Sequence, residues 1–278
     1  MTDQLESESL VAVVTGASAG LGLAIVSRFA RSGYCVVMVG RGRARLETAR
    51  ESLEDEIQSS VLVHVCDVTT PSDVEELFRE VEARCGRLDV LVNCVGESDR
   101  GLLQNLTTER MRQLFEINVF SALYCTQAAL PLLEQTGGVV LNIGSLASKV
   151  GARFIGGYAV AKHALAGLTQ QFRLELLARG VHVCLLSPGP IKREDAGSRY
   201  TAQLTSELPE QARRPGGGTR VKGLSPDHIA AIALTMVQNR QPDRVLPSYL
   251  RLLISIGHFW PRLGDWLLLK FTSEAASK

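Results

Sequence analysis

The sequence predicts an α/β fold, a doubly wound parallel sheet with helices on both faces. Short apolar runs of strand length alternate along the chain with longer segments of helical pattern. The runs are continuous in Val, Ile and Leu, which is typical of strands buried on both faces. A repeated β-α-β order gives a parallel sheet with its crossovers packed on it. With 278 residues, of which 45% are hydrophobic, the chain can bury such a core.

The predicted elements follow one another in a regular order. The six strands, from the amino terminus, are "LVAVVTG", "CVVMVG", "SVLVHVCDV", "LDVLVNCVG", "GGVVLNIGS" and "GVHVCLLSPG". Helices are predicted over 21–32, 43–57, 72–85 and 106–133, and a further helix begins near Gly157. We therefore expect one catalytic domain over 1–243, followed by an apolar extension over 244–278.

Charge and cysteine content exclude several kinds of partner. The 30 basic and 29 acidic residues leave a net charge of +1, so nothing favours nucleic acid binding. The six cysteines include no C-x-x-C pair, and the histidines lack metal-ligand spacing, so no metal site is predicted. Several cysteines fall in apolar runs and are interpreted as buried free thiols. The polar start "MTDQLESESL" does not look like a signal peptide, and a cytoplasmic protein is expected.

A glycine-rich turn follows the first strand, where "TGASAGLG" occupies residues 15–22 and opens a helix. Glycine lets the backbone approach a pyrophosphate, and the first N–H groups of the helix point at it. This is the dinucleotide-binding arrangement of a Rossmann fold. The candidate cofactor-binding residues in the turn are Gly16, Ser18, Ala19, Gly20, Leu21 and Gly22.

The end of the second strand predicts which dinucleotide is bound. Gly40 ends the strand, Arg41 follows it, and Arg43 is close by. A carboxylate here would accept from the free 2′-hydroxyl of NAD, whereas a guanidinium matches the 2′-phosphate of NADP. We therefore expect NADP(H), with Arg41 as its main contact. The alternative is a pair of solvated arginines at a helix start.

Two further strand ends are candidates for the cofactor site. Asp67 and Val68 follow the third strand, where the adenine would lie. Asn93 and Gly96 are the first and last residues of "NCVG", at the end of the fourth strand, and small residues there let the backbone pass close to the cofactor. An ordinary turn is the alternative for each of them.

Four polar residues form the candidate catalytic set. Tyr158 and Lys162 in "YAVAK" share a helical face, which alone does not make a reactive centre. Ser145 lies thirteen residues earlier in "LNIGS", and Asn118 lies upstream in "FEINVF". Together with "TGASAGLG" and "NCVG", in this order, they resemble the short-chain dehydrogenase/reductase family over roughly residues 10–240.

The resemblance implies hydride transfer between a nicotinamide and a carbonyl or secondary alcohol. Tyr158 would be the acid in reduction and the base in oxidation. Lys162 would stabilise the phenolate and bind the nicotinamide ribose, Ser145 would hold the substrate oxygen, and Asn118 would maintain a water chain to solvent. These roles suit a reaction that develops alkoxide charge and needs a proton donor.

The resemblance also covers "SPGPI" after the sixth strand. It places Pro188, Gly189 and Ile191 beside the nicotinamide, as in the family's Pro-Gly turn. Many relatives continue with a Thr, but Arg193 stands at that position here, and "NCVG" departs from the commoner Asn-Asn-Ala-Gly. Family members commonly form a homodimer or homotetramer, so an oligomer is expected.

The predicted substrate is lipophilic, a lipid-derived ketone or a steroid-like molecule. Apolar residues are expected around its carbonyl, with Arg153 as the exception: Leu146, Val150, Phe154, Ile155, Pro190 and Ile191. The long segment 192–223 carries an excess of basic residues and is predicted to be a substrate lid. Those basic residues leave an anionic acyl thioester as an alternative substrate.

The extension over 244–278 has two interpretations. Arg251, Pro261 and Asp265 interrupt it, so it is a poor membrane-spanning helix. Its tryptophans beside basic residues would suit a peripheral membrane contact, while a cover for the substrate pocket or a subunit interface is favoured.

Three classes of function follow from the sequence: an NADPH-dependent oxidoreductase, a catalytically silent NADP(H)-sensing regulator and a membrane-associated scaffold. The first is favoured because a sensor does not need Ser145, Tyr158 and Lys162 together.

Overall fold

One parallel sheet organises the chain. In the computed structural model, which describes residues 9–192, 208, 212, 216, 218 and 221–272, the strands are β1 (Val11–Thr15), β2 (Cys35–Gly40), β3 (Val61–Val65), β4 (Val90–Asn93), β5 (Val139–Ile143), β6 (His182–Pro188) and β7 (Asp243–Leu246). They form a seven-stranded sheet in the order β3-β2-β1-β4-β5-β6-β7. The order reverses between β1 and β4, and ligands bind at such a switch point. The predicted doubly wound parallel sheet is confirmed.

Helices cover both faces of this sheet. They are α1 (Gly20–Ala30), α2 (Arg43–Glu51), α3 (Asp55–Gln58), α4 (Pro71–Cys85), α5 (Thr108–Phe115), α6 (Ser121–Thr136), α7 (Tyr158–Leu176), α8 (Pro226–Gln238), α9 (Leu250–Phe259) and α10 (Pro261–Thr272). Apolar side chains of α1, α2 and α8 pack on one face of the sheet. Those of α4, α6 and α7 pack on the other, so the central strands are buried on both sides.

Two predicted helices are interrupted in the structure. The segment 43–57 breaks after α2, where the Ser52 hydroxyl donates to the Ala49 carbonyl at 2.7 Å, and α3 follows. The segment 106–133 contains a π-helical turn over Glu116–Phe120, between α5 and α6. Such turns insert a residue into a helix and are frequent at functional sites. This one carries Asn118.

The seventh strand was not predicted. Its sequence "DRVL" is short and half polar, and it becomes a strand by pairing with the edge of β6 from Leu185 to Pro188. The Gly189 N–H continues the pairing by donating to the Leu246 carbonyl at 2.8 Å. Residues 244–246 of the predicted extension therefore belong to the sheet, and α9 and α10 leave from its end.

A buried polar quartet, consisting of Asn93, Asn142, Thr126 and Thr169, joins the sheet to two helices. Asn93 and Asn142 are register partners on β4 and β5, and Asn93 Nδ2 donates to Asn142 Oδ1 at 2.8 Å. Asn93 Nδ2 also donates to Thr126 Oγ1 on α6 at 3.3 Å, while Asn142 Nδ2 donates to Thr169 Oγ1 on α7 at 2.9 Å. The side chain of Asn93, a predicted cofactor residue, is thus engaged within the core.

The cysteines have the state that the sequence indicates. All six are free thiols; Cys35, Cys66, Cys125 and Cys184 are buried, while Cys85 and Cys94 are partly exposed. Burial, together with nearby carboxylates, raises the pKa of Cys66 to about 12, so this thiol stays protonated and unreactive at neutral pH.

Candidate active site

The glycine turn after β1 has the geometry of a pyrophosphate cradle. Gly16 and Gly20 take positive φ angles of 67° and 56°, which side-chain-bearing residues rarely adopt. A methyl group on Gly22 would overlap the Gly16 carbonyl. Helix α1 begins at Gly20 and carries no acidic residue in its first turn. Free N–H groups and a close backbone therefore face the cofactor side without an opposing carboxylate.

The residues predicted to contact the adenosine lie at the ends of β2 and β3. Arg41 is exposed after β2 and has no ion-pair partner among the described residues, whereas Arg43 pairs with Glu47 at 3.8 Å. Asp67 closes a local turn, because its Oδ1 accepts from the Thr69 hydroxyl at 2.7 Å. Val68 next to it is buried. Of these residues, Arg41 has a charge available for a phosphate.

Lys162 is a buried cation at the centre of the site. Its side chain on α7 is buried, and its Nζ donates to the Ile143 carbonyl at 3.1 Å. Burial lowers the pKa of Lys162 to about 8 from its usual 10.5, while Cys94 nearby opposes the shift. The ammonium form therefore persists at neutral pH, close to its titration.

Asn118 is hydrogen-bonded to the segment that follows β4, close to Lys162. Its Nδ2 donates to the Glu97 and Leu114 carbonyls at 3.0 and 2.9 Å, and its Oδ1 accepts from the Glu97 N–H at 3.2 Å. A methyl group on Gly96 would lie 3.0 Å from Asn118 Oδ1 and 3.1 Å from Lys162 Nζ. The absence of a side chain on Gly96 therefore leaves room for both side chains beside the strand end.

Ser145 and Tyr158 are placed by the starts of helical segments. Ser145 follows β5 and caps a 3₁₀ turn over Leu146–Ser148: its Oγ accepts from the Ala147 N–H at 3.1 Å, and its own N–H donates to Ser148 Oγ at 3.0 Å. Tyr158 is the first residue of α7, and Lys162 Nζ lies 5.9 Å from the centre of its ring. Each side chain is fixed at one end of a rigid element.

The loop before α7 has a strained backbone. Phe154 takes a φ of 65°, which is costly for a residue with a large side chain, and Gly156 takes a φ of 50°. Two hydrogen bonds of 3.1 Å hold this path, from the Gly101 N–H to the Phe154 carbonyl and from the Gly156 N–H to the Gly101 carbonyl. The segment after β4 thus fixes the chain just before the tyrosine.

A buried carboxylate completes that support, and the sequence did not reveal it. Asp99 Oδ2 accepts from the Gly157 N–H at 3.3 Å, and Asp99 Oδ1 accepts from Arg110 Nε at 3.2 Å. Arg110 Nη2 in turn donates to Glu97 Oε1 at 2.7 Å. Because Asn118 holds the backbone of Glu97, one network connects the π-helical turn to the start of α7.

A cavity of about 850 Å³ lies beside these residues. The predicted site residues that line it are Leu21, Gly96, Ser145, Tyr158, Lys162, Pro188, Gly189 and Ile191. The rest of the glycine turn, the adenosine-side residues, Asn93 and Asn118 are outside its wall. The structure therefore brings Ser145, Tyr158 and Lys162 together and leaves the residues predicted to bind phosphate and adenosine along the adjoining strand ends.

Most of the residues predicted to surround the substrate line this cavity. They are Leu146, Val150, Ile155, Pro190 and Ile191. Phe154 and Arg153 are outside the cavity wall: Phe154 is buried on a backbone of positive φ, and the Arg153 guanidinium stacks over its ring at 4.6 Å.

Arg100 is a charged wall residue that the sequence analysis missed. Its side chain is buried, its Nε donates to the Ala212 carbonyl at 2.9 Å, and its Nη1 donates to the Asp99 carbonyl at 2.6 Å. The predicted lid over 192–223 lies mostly outside the described residues, as does Arg193. Its described members Gly216 and Val221 line the cavity. Arg100 therefore ties part of this segment to the cavity wall.

The C-terminal helices form another wall of the same cavity. The lining residues of α9 and α10 are Leu250, Leu253, Ile254, Gly257, His258, Pro261, Gly264, Asp265, Leu267 and Leu268. His258 Nε2 lies 3.1 Å from the Lys149 carbonyl and connects α9 to the loop after β5. Of the two interpretations of the extension, the favoured one, a cover for the pocket, agrees with this placement.

The architecture and the site define a class: α/β oxidoreductases that use a nicotinamide dinucleotide. Residues 10–203 match the family model described as short chain dehydrogenase. The chain belongs to the short-chain dehydrogenase/reductase family.

Individual relatives agree with this assignment. D-beta-hydroxybutyrate dehydrogenase of Rhizobium meliloti is 30% identical over 207 residues, which cover 74% of this chain and 77% of the relative. An alcohol dehydrogenase from the archaeon Thermococcus sibiricus, solved with 5-hydroxy-NADP, superposes with a TM-score of 0.71 at 29% identity, covering 87% of this chain and 97% of that one. The actinorhodin polyketide ketoreductase with NADPH gives a TM-score of 0.74 at 26% identity, with the same coverage. The protein is thus an oxidoreductase of this family.

Proposed function

We propose that the protein interconverts a lipophilic carbonyl compound and its secondary alcohol, with NADP(H) as the cofactor. The observation that carries this proposal is the convergence of Ser145, Tyr158 and Lys162 on one cavity beside the glycine turn. These side chains come from two separate elements, the turn after β5 and helix α7. A protein that only sensed the cofactor would not need them at the same wall.

The residues divide the reaction as follows. When bound, NADPH would supply the hydride that reduces the carbonyl carbon. The Tyr158 hydroxyl donates the proton that the developing alkoxide takes up, so that C=O becomes CH–OH. The Ser145 hydroxyl donates a hydrogen bond to the same oxygen. Lys162 stabilises the phenolate that forms when Tyr158 gives up its proton. Oxidation of the alcohol runs these steps in reverse.

Asn118 would support the return of the proton. Its three hydrogen bonds go to backbone groups of Glu97 and Leu114, so it joins the segment after β4 to the π-helical turn beside Lys162. We propose that this junction supports the water chain through which Lys162 exchanges protons with solvent.

The preference for NADP(H) rests on Arg41. The end of β2 carries this exposed arginine and no carboxylate, so a 2′-phosphate would meet a positive charge and no repulsion. Two solved relatives hold NADP-type cofactors, which supports the same preference.

The lipophilic substrate is inferred from the composition of the cavity wall. The wall includes leucine, isoleucine, valine and proline side chains from the loop after β5, the Pro-Gly turn and the C-terminal helices. Arg100 in the same wall favours a second candidate, an acyl thioester whose remaining part carries negative charge.

Turnover of NADPH tests the proposal. The purified protein is assayed against a panel of lipophilic ketones and acyl thioesters, beside Tyr158→Phe and a matched control, Tyr124→Phe, which removes a hydroxyl on α6 outside the cavity. We expect the first variant to lose roughly 10²–10⁴-fold in kcat with NADPH binding retained, and the control to keep its activity. Full activity of Tyr158→Phe would refute the assignment, and a wild-type protein that binds NADPH without turnover on any substrate would favour the sensor.

The oligomeric state can be measured on the same purified protein. By resemblance to the family we expect a homodimer or homotetramer, and light scattering coupled to size exclusion gives the mass directly. A monomer at all concentrations would contradict this expectation.

A further inference from the structure

The C-terminal hairpin, defined as α9 and α10, has two apolar faces. The lining residues of α9 recur at every third or fourth position, Leu250, Leu253, Ile254, Gly257 and His258, so one face of this helix is turned to the cavity. The two helices meet closely at Gly257 and Gly264, where a methyl group on Gly257 would lie 3.3 Å from the Gly264 Cα. The hairpin is therefore a single helical layer between the cavity and the outside.

The outer face of that layer exposes large apolar side chains. Phe259 is 80% exposed, Leu252 68%, Trp260 63% and Trp266 54%, and Leu263 and Leu269 are exposed as well. No residue of α9 is buried. Monomeric proteins rarely expose so many large apolar residues together unless the patch binds something.

Charge indicates what would cover this face. Arg251, Arg262 and Lys270 stand on the hairpin against one acidic residue, Asp265, which lines the cavity. Lys270 Nζ lies 4.7 Å from the centre of the Trp266 ring. Tryptophan and phenylalanine beside basic side chains suit the boundary between lipid headgroups and acyl chains, where rings are half buried and cations meet anionic headgroups. Among the described helices, none has both the length and the apolar character that crossing a bilayer requires.

We propose that the outer face of the hairpin lies on an anionic lipid membrane, and that the substrate is a membrane-resident lipid reaching the cavity across this layer. The inference about the substrate rests on the proposed function, whereas the membrane surface stands on exposure and charge. A second copy of the chain, paired hairpin to hairpin, would cover the apolar side chains equally well, but it would bring three cations of each copy together with Asp265 as the single acidic residue of each hairpin. A bilayer satisfies both features.

Flotation with vesicles tests the surface. The full chain is mixed with vesicles of phosphatidylcholine alone or with phosphatidylglycerol added, beside a triple variant, Phe259→Ser, Trp260→Ser and Trp266→Ser. None of the three side chains lines the cavity. A double variant, Leu174→Ser and Leu177→Ser, removes leucines that are 64% and 69% exposed elsewhere and serves as the matched control.

We expect the wild type and the control to float with the anionic vesicles and the triple variant to remain in the soluble fraction. Arg262→Gln and Lys270→Gln should each weaken binding about fivefold on anionic vesicles and leave binding to phosphatidylcholine unchanged. Absence of wild-type flotation, or equal flotation of the triple variant, would overturn the proposal. A mass that halves in the triple variant, without flotation of the wild type, would assign the face to a second copy.

Activity separates this proposal from the reaction itself. The triple variant should reduce a short, water-soluble ketone as the wild type does, and it should lose turnover of a long-chain ketone presented in anionic vesicles. Flotation without any activity would leave the membrane surface standing and refute the function. Equal turnover of the vesicle-borne ketone by both proteins would refute entry from the membrane while leaving the reaction intact.

Discussion

The backbone N–H of Gly157 donates to Asp99 Oδ2 at 3.3 Å, and the residue that follows Gly157 is Tyr158, which opens α7 and carries the hydroxyl proposed to be catalytic. A carboxylate that is 6% exposed thus sets where the helix starts. Its charge also complements the positive end of that helix. Since Arg110 binds Asp99 and Glu97 together, the position of the tyrosine depends on an ion pair outside the cavity.

Replacing Asp99 should therefore affect the chemical step more than binding. We expect Asp99→Asn to lower kcat roughly tenfold to a hundredfold, because a small displacement of the tyrosine misaligns proton transfer, while KM for NADPH changes little. Steady-state kinetics measures both constants. Glu109→Gln breaks an exposed ion pair on the same helix as Arg110 and serves as the control. An equal rise of both KM values at constant kcat would contradict a positioning role.

Arg41 should determine the choice between the two dinucleotides. Loss of one charge-assisted contact costs about 1.5–3 kcal/mol, so Arg41→Ser should raise the Kd for NADPH roughly tenfold to a hundredfold and leave that for NADH unchanged. Fluorescence titration reports both constants. Arg28→Ser, an exposed arginine at the far end of α1, is the control. Parallel weakening of both cofactors would show that Arg41 does not bind the 2′-phosphate.

Lys162 should make stability depend on alkaline pH. The pKa of Lys162 is about 8 in the folded protein and about 10.5 when unfolded, so between these values the unfolded chain binds the extra proton. The free energy of unfolding therefore rises with pH across this window, by about 3 kcal/mol for this group. Lys162→Met removes that rise.

The comparison separates Lys162 from remote titrations. Titrating groups that do not interact with Lys162 contribute equally to the wild type and to Lys162→Met, so they cancel in the difference between the two stabilities; Cys94, which interacts with Lys162, does not cancel. At neutral pH, Lys162→Met should have a higher free energy of unfolding than the wild type, because it buries no ammonium. Urea unfolding at intervals from pH 7 to 11 should show this difference in free energy shrinking as the pH rises. Parallel curves would mean that the ammonium is not desolvated as the structure shows.

Alanine should be harmful at one glycine and stabilising at another. In Gly96→Ala the new methyl group would crowd Asn118 Oδ1 and Lys162 Nζ, so we expect at least a tenfold loss of kcat/KM. Gly167 on α7 has open space at the same position, and Gly167→Ala should raise the free energy of unfolding by about 0.5–1 kcal/mol. Activity assays and urea unfolding of the two variants check both outcomes, and an active Gly96→Ala would contradict the close approach.

Local patterns in the sequence predicted six of the seven strands, because continuous apolar runs between glycine turns are a local signal. The candidate catalytic set was also found from the sequence, because the order of its motifs along the chain is distinctive. The edge strand Asp243–Leu246 gave no such signal, since it exists through pairing with β6. The π-helical turn at Asn118 likewise depends on contacts with Glu97, twenty-one residues away.

Tertiary contacts explain what else the sequence analysis missed. The hydrogen bond between Asp99 and Gly157 joins residues 58 positions apart, and Arg100 reaches the carbonyl of Ala212, 112 positions away. The position of the hairpin over the cavity depends on β7, because this strand pairs with β6 and the hairpin begins where the strand ends. Phe154, predicted for the pocket, is turned away by a backbone angle that its identity disfavours.

The buried quartet of Asn93, Asn142, Thr126 and Thr169 has a consequence for the evolution of this chain. Slipping β4 against β5 by one residue would separate the two asparagine amides in the core, so the quartet disfavours wrong pairings as well as stabilising the right one. A single replacement by an apolar residue leaves its former partner unsatisfied, whereas a coordinated replacement does not. We therefore expect these four positions to covary among homologous sequences, and to change in pairs when they change.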